Sequence, residues 1–135
     1  MGEYWIPSKK SKYYLPKETY LTAVHFARQY PLWVQELNTI PDTGSAIQYD
    51  KDKVQTSNIY DANAELAMRR YEISKKKELI DQVALEAGKD LHEWLILSVC
   101  YGLYYHQLQE RGMPCSRNTY TSMRQLFYNR LSQLI

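Results

Sequence analysis

The side chains in this chain best suited to chemistry lie in its closing segment, CSRNTYTSMRQLFYNRLSQLI. Tyr120, Met123, Phe127, Leu131 and Leu134 recur at three- and four-residue steps and define one apolar face of a helix. Arg117, Asn118, Thr121, Arg124, Gln125 and Arg130 fall mostly off that face. Guanidinium, carboxamide and hydroxyl groups set this way reach phosphate oxygens and base edges in a major groove. The chemistry suggested is recognition of nucleic acid. Lys9, Lys10 and Lys12, among the aromatics Tyr4, Trp5, Tyr13 and Tyr14, add a basic arm that would lie along a phosphate backbone. Each pattern has a plainer reading. Any small helical protein can end in a capped amphipathic helix with arginines on its wet face, and a terminal arm can be a strap packed down by its aromatics.

Other chemistry is not signalled. His25, His92 and His106 have no metal-ligand spacing among themselves, and Cys100, His106 and Cys115 fit no zinc pattern. No serine or cysteine nucleophile sits in a recognisable elbow, and the carboxylates are scattered as surface charge. The reading is therefore of a protein that is not an enzyme and holds no cofactor or metal. Cys100, inside an apolar run, is expected in the core. Cys115 precedes a helix start, where a thiolate could be stabilised, but no basic partner accompanies it.

The chain of 135 residues suits one domain, and 44% hydrophobic with 24% charged residues is the balance of an ordinary globular protein. Thirteen tyrosines are many for this length. Tyrosine buries a large ring and keeps a polar tip, which suits thin cores and contact surfaces. A formal net charge of +2 is weak support for nucleic-acid binding, argues against an acidic mimic of nucleic acid and puts the weight on where the cations lie. The opening residues lack the apolar segment of a signal peptide, and the apolar stretch Trp94–Tyr105 is too short to span a bilayer, so a cytoplasmic, reducing setting is expected.

The elements that must position these side chains are read as helices. Residues 1–15 form the arm. Residues 16–40 form a helical hairpin or kinked helix, opened by Pro16 and interrupted at Tyr30-Pro31, with Tyr20, Val24, Ala27 and Tyr30 as a stripe and Trp33, Val34 and Leu37 behind it. Residues 41–57, rich in turn formers, read as an exposed loop. Residues 58–88 form a long helix on which Leu66, Ile73, Ile80 and Ala87 repeat every seven residues, with Gly88 as its stop. Its run Lys75, Lys76, Lys77 is more often a solvated face than a binding patch. Residues 90–135 then give an apolar segment, a short amphipathic segment ending in a glycine turn, and the closing helix N-capped by Ser116.

Taken together, KYYLPKETY, RQYPLW, VQTSNIYDANAELAMRRYEISKKKELI and GMPCSRNTYTSMRQLFYNRLSQLI resemble, in order and over nearly the whole chain, a group of small proteins of Firmicutes phages and prophages. The resemblance implies a helix-turn-helix protein, similar to late-gene transcription regulators and to the promoter-reading domain of sigma factors. It implies a DNA-facing closing helix, with Arg117, Asn118, Thr121 and Arg124 as the contacting positions. The chain departs from that pattern in carrying three arginines and no lysine in the last helix and in ending Leu134-Ile135 where many relatives are basic. This weakens the electrostatic footprint.

The expected architecture is all-α: a compact helical domain with a long central helix and a C-terminal helix-turn-helix-like trihelical unit. The expected function is a phage- or prophage-encoded DNA-binding regulator of transcription in the cytoplasm of the bacterial host. Its DNA contacts would come from Arg117, Asn118, Thr121, Arg124, Gln125, Lys9, Lys10 and Lys12. Its partners would be double-stranded DNA, with host RNA polymerase or another host protein and a homodimer as further candidates, and no membrane. The alternatives are a DNA-packaging recognition subunit, or a phage protein of anti-CRISPR type that binds and inhibits a host defence component through Tyr104, Tyr105, Tyr120 and Tyr128.

Overall fold

The computed structural model describes residues 9–39 and 57–135, with side chains in the second span from residue 62 onward. Of the expected loop at 41–57, residues 41–56 lie outside the described residues, as do Tyr4 and Trp5, while Ser57 belongs to the long helix. Among the described residues the regular elements are all helical. They are α1 (Lys17–Arg28), α2 (Tyr30–Thr39), α3 (Ser57–Gly88), a 3-10 turn (Lys89–Leu91), α4 (His92–Val99), α5 (Tyr105–Glu110) and α6 (Arg117–Leu134). The all-α class with one long helix is thus as expected. At 32 residues, α3 is about 48 Å long.

The chain divides into a unit within Met1–Pro31 and Leu79–Ile135, and a second within Leu32–Glu78. In the second unit, Trp33 of α2 and Ile73 of α3 are buried. Arg69 bonds Glu36 through Nε at 2.9 Å, and Arg70 Nη1 donates to the Leu37 carbonyl at 2.9 Å. Val34 and Leu37, expected in the core, are half-buried.

In the first unit, α1 buries Tyr20, Ala23, Val24 and Ala27, one face at helical spacing. Pro16 is its N-cap residue, and the Tyr20 N–H closes the first turn on the Pro16 carbonyl at 2.9 Å. The chain breaks at Gln29, which leaves Pro31 in the first turn of α2, where its missing N–H costs nothing. α1 packs on α6 and on α4, and α4 packs on both α5 and α6. Ile80, Val83 and Ala84 close the floor from α3.

The long helix ends at Gly88 as expected, but not through a left-handed glycine. The φ of Gly88 is −104°, and the left-handed residue is Lys89 at φ 50°. The space beside Gly88 explains the glycine: a Cβ there would stand 3.3 Å from Leu95 Cδ2, so its absence lets α4 approach. His92 Nδ1, 2.8 Å from the Lys89 carbonyl, holds the turn. At the end of α4, Gly102 at φ 77° redirects the chain, with its N–H on the Ser98 carbonyl at 3.2 Å. Gly112 at φ 103° does the same after α5.

Leu95, Phe127 and Leu131 are fully buried. Trp94, next to Leu95 in the sequence, is half-buried and packs against Leu108, Met113 and Tyr120. The buried face of α6 is Tyr120, Met123, Phe127, Tyr128 and Leu131. Leu134, assigned to that face by its spacing, is 47% exposed. Periodicity sets the azimuth of a side chain, but burial also needs a partner at that height along the axis. Tyr128, off the ideal stripe, is buried because its ring meets Tyr20 of α1 edge-on at 5.2 Å.

Phe127→Ala is expected to destabilise the protein by about 3 to 5 kcal/mol, since it removes a whole ring from a packed site. Urea unfolding measures this, and a loss under about 1 kcal/mol would mean that the site collapses freely around the deletion.

Candidate nucleic-acid interface

Ser116 starts α6 as its N-cap, accepting the Thr119 N–H on Oγ at 3.3 Å. With α6 anchored this way, Asn118, Thr121, Ser122 and Gln125 follow one another at i, i+3, i+4 and i+7 and form one polar stripe away from the buried face. Arg117 is exposed, its guanidinium carbon 5.4 Å from the Tyr105 ring centroid of α5. Asn118 and Ser122 are exposed, while Thr121 and Gln125 are half-buried.

The arm meets this stripe. Ser11 Oγ donates to Gln125 Oε1 at 3.4 Å and accepts the Tyr13 N–H at 3.1 Å. The Tyr14 N–H closes a turn on the Ser11 carbonyl at 3.1 Å, and Leu15 is buried beneath. Lys9, Lys10 and Lys12 are exposed on that turn. Lys12 Nζ stands 5.1 Å from the Tyr13 ring centroid. Between arm and helix lies an open groove of ≈ 310 Å³. Tyr13 forms one side, Asn118, Thr119 and Ser122 supply polar groups, and Ala87, Met123 and Leu126 supply apolar surface. The structure thereby brings Ser11 of the arm to Gln125 and Tyr13 to Asn118, in each case across more than a hundred positions of sequence.

Arg124 sits elsewhere. The sequence puts it on the wet side of α6, but its guanidinium turns inward. It lies 5.7 Å from the Tyr120 centroid and 5.6 Å from that of Tyr128, with Nη2 donating to Tyr128 Oη at 3.5 Å. Stacking on two rings and burying its stem outweigh solvation of a delocalised, weakly hydrated cation. Arg124 in this position is held by the rings of its own helix. Arg130 pairs with Glu86 of α3 at 3.2 Å. In the second unit Arg69 pairs with Glu36, and Lys75 with Glu78 at 3.9 Å and over the Tyr71 ring at 5.4 Å. Lys75 of that basic run is therefore tied to local partners.

Sequence reasoning missed Ser11, Ser122 and the groove. Ser122 completes the polar stripe and was legible from its spacing. Tyr13 was legible as an arm aromatic, but its place in the groove was not, and Ser11 carries no signal without the fold. Tyr120 and Tyr128, candidates for a protein-binding surface, are buried, and Tyr120 Oη shares a 2.8 Å hydrogen bond with the buried Ser98 hydroxyl. Tyr104 is exposed and stacks parallel to His106, with centroids 6.0 Å apart.

Burial raises both thiols, Cys100 strongly and Cys115 at the helix start, so neither is held as a reactive thiolate. Among the described residues no group of three or more His, Cys, Asp or Glu side chains could hold a metal ion. Among them too, no helix is long and apolar enough to cross a membrane. Compared with family models, curated proteins and solved structures, the chain finds no match.

Burial, and secondarily the neighbouring Tyr128, pushes the Tyr20 phenol up to about 12, while Arg124 and Arg28 oppose the rise. Tyr30 is raised by burial and by its 2.6 Å hydrogen bond to Asp81. The folded protein therefore holds these protons more tightly than the unfolded chain, whose tyrosines ionise near about pH 10. The contribution is complete below about pH 10 and is lost as pH rises towards about 12. Unfolding followed from pH 9 to 12 should show this loss, and Tyr20→Phe should shrink it; an unchanged pH profile in that variant would contradict the assignment.

Arg124→Ala should lower stability by about 1 to 2 kcal/mol, because two ring contacts and a buried stem are removed. An unchanged unfolding midpoint would return Arg124 to a surface role.

Proposed function

We propose that this protein is a phage- or prophage-encoded regulator of transcription that binds double-stranded DNA in the host cytoplasm through its N-terminal arm and α6. One observation carries the reading. The Ser11–Gln125 hydrogen bond and the Tyr13 contact set three exposed lysines beside the polar stripe of a capped helix. That is the combination a DNA-binding surface needs: cations for the phosphates, and carboxamides and hydroxyls for base edges. In this reading Lys9, Lys10 and Lys12 hold the backbone. Arg117, Asn118, Thr121 and Gln125 meet phosphate or base edges, with α4, α5 and α6 acting as a helix-turn-helix-like unit. Arg124 acts indirectly by fixing the pitch of α6. The phage origin and the likeness to late-gene regulators rest on the sequence resemblance.

A second reading has its own support. Leu32, Met68 and Tyr71 of the second unit are each about 60% exposed, and exposed apolar side chains of this size suit a contact with a host protein. Such binding would depend little on salt, whereas phosphate binding falls steeply with it.

A binding titration at two salt concentrations, against random duplex and against the promoter region of the encoding element, separates the two. Steep loss of affinity with salt is expected for the wild type. Substituting Lys9, Lys10 and Lys12 with alanine should weaken binding to all sequences alike and flatten the slope by about one for each phosphate that is no longer neutralised. No detectable binding to either duplex at low salt overturns the DNA reading and leaves the host-protein partner.

A further inference from the structure

We infer that the groove between the arm and α6 receives one unpaired nucleobase of a nucleic-acid strand. The inference rests on the nucleic-acid reading of this face and extends it from paired duplex to a site where a base leaves the stack. The shape and lining carry it. A nucleobase has apolar faces and a polar edge. The groove offers Met123, Leu126 and Ala87 for a ring face, and the carboxamide of Asn118 with the hydroxyls of Thr119 and Ser122 for the edge. Tyr13 adds an aromatic wall on which a base can stack, an interaction that tolerates any base because each has a π-face.

The size limits the occupant. At ≈ 310 Å³ the groove lies at the lower end of ligand sites, enough for one ring system and too small for an extended ligand. The charge points the same way. Among the described residues no carboxylate lines the groove, Lys12 stands over the Tyr13 ring, and Lys9 and Lys10 are exposed on the same turn. A ring that carries a phosphate therefore suits the site better than the aromatic side chain of a neutral peptide. Apart from the Tyr13 phenol, the described lining holds no ionisable group, so the groove recognises and does not catalyse. The arm and α6 thus divide the work: the lysines hold the backbone of the strand, and the groove seats the base that is out of the helix.

Fluorescence-anisotropy titration of the full chain tests this with two labelled duplexes of equal length. One is fully paired and the other carries a single extrahelical thymine. The wild type should bind the bulged duplex about tenfold more tightly. Ser122→Leu, which fills the groove, and Tyr13→Ala, which removes the stacking wall from the exposed arm, should each bring that ratio close to one. The ratio is the readout because both residues belong to the surface under test, so absolute affinities can fall as well. Circular dichroism checks that each variant is folded, and Tyr13→Ala serves if Ser122→Leu is not. A wild-type ratio of one, or a ratio retained in the folded variants, overturns the inference while leaving duplex binding standing. Absence of binding to both duplexes at low salt removes the DNA reading itself and this inference with it.

Discussion

The first unit depends on one contact system: the Arg124 guanidinium between the rings of Tyr120 and Tyr128, with Tyr128 in turn edge-on to Tyr20. A strongly hydrated ammonium could not be brought inside so thin a core without a carboxylate. A guanidinium is more weakly hydrated and planar, so ring faces can replace part of its water. The same three tyrosines fill volume that aliphatic side chains would otherwise have to supply, and their hydroxyls find partners within the unit, as in the Tyr120–Ser98 pair. This ties α6 to α1 and to α4 and sets the rotation of α6 about its axis.

That rotation decides which side chains meet solvent. With Tyr120, Met123, Phe127, Tyr128 and Leu131 inward, the stripe of Asn118, Thr121, Ser122 and Gln125 has to point away from the core. The arm then settles on its edge through Ser11 and Tyr13. A chain with a net charge of only +2 lacks a broad positive field. Positive potential on such a chain comes from local clustering, and the three arm lysines supply it at one edge of the helix. The glycines serve the same end. Gly88 admits Leu95, and Gly102 and Gly112 give the reversals that return α5 and α6 to the core.

The second unit is built differently. Among its described residues few side chains are fully buried, and much of the polar surface is paired locally, Arg69 with Glu36 and Arg70 with the Leu37 carbonyl. Exposed pairs of this kind add little stability each, so Trp33 and Ile73 carry most of the hydrophobic contribution there. The basic run of α3 reads in the sequence as either a binding patch or a solvated face. The pairing of Lys75 with Glu78 and Tyr71 favours the second.

By itself the sequence determined the all-α class, the helix order, the glycine turn after α5, the Ser116 cap and most of the buried face of α6. These follow from local rules: periodicity, capping and the conformations open to glycine and proline. The division into two units was not legible, because it depends on which apolar stripes find each other. The turn at Lys89 was not either, because Gly88 was needed for a close approach and not for a left-handed backbone. Tertiary structure alone decided the roles of Arg124, Leu134 and Tyr128. A helical pattern gives the azimuth of a side chain, whereas its burial depends on what stands opposite at that height. It also decided the site, since the Ser11–Gln125 contact joins residues 114 positions apart and nothing local in the chain encodes such a meeting.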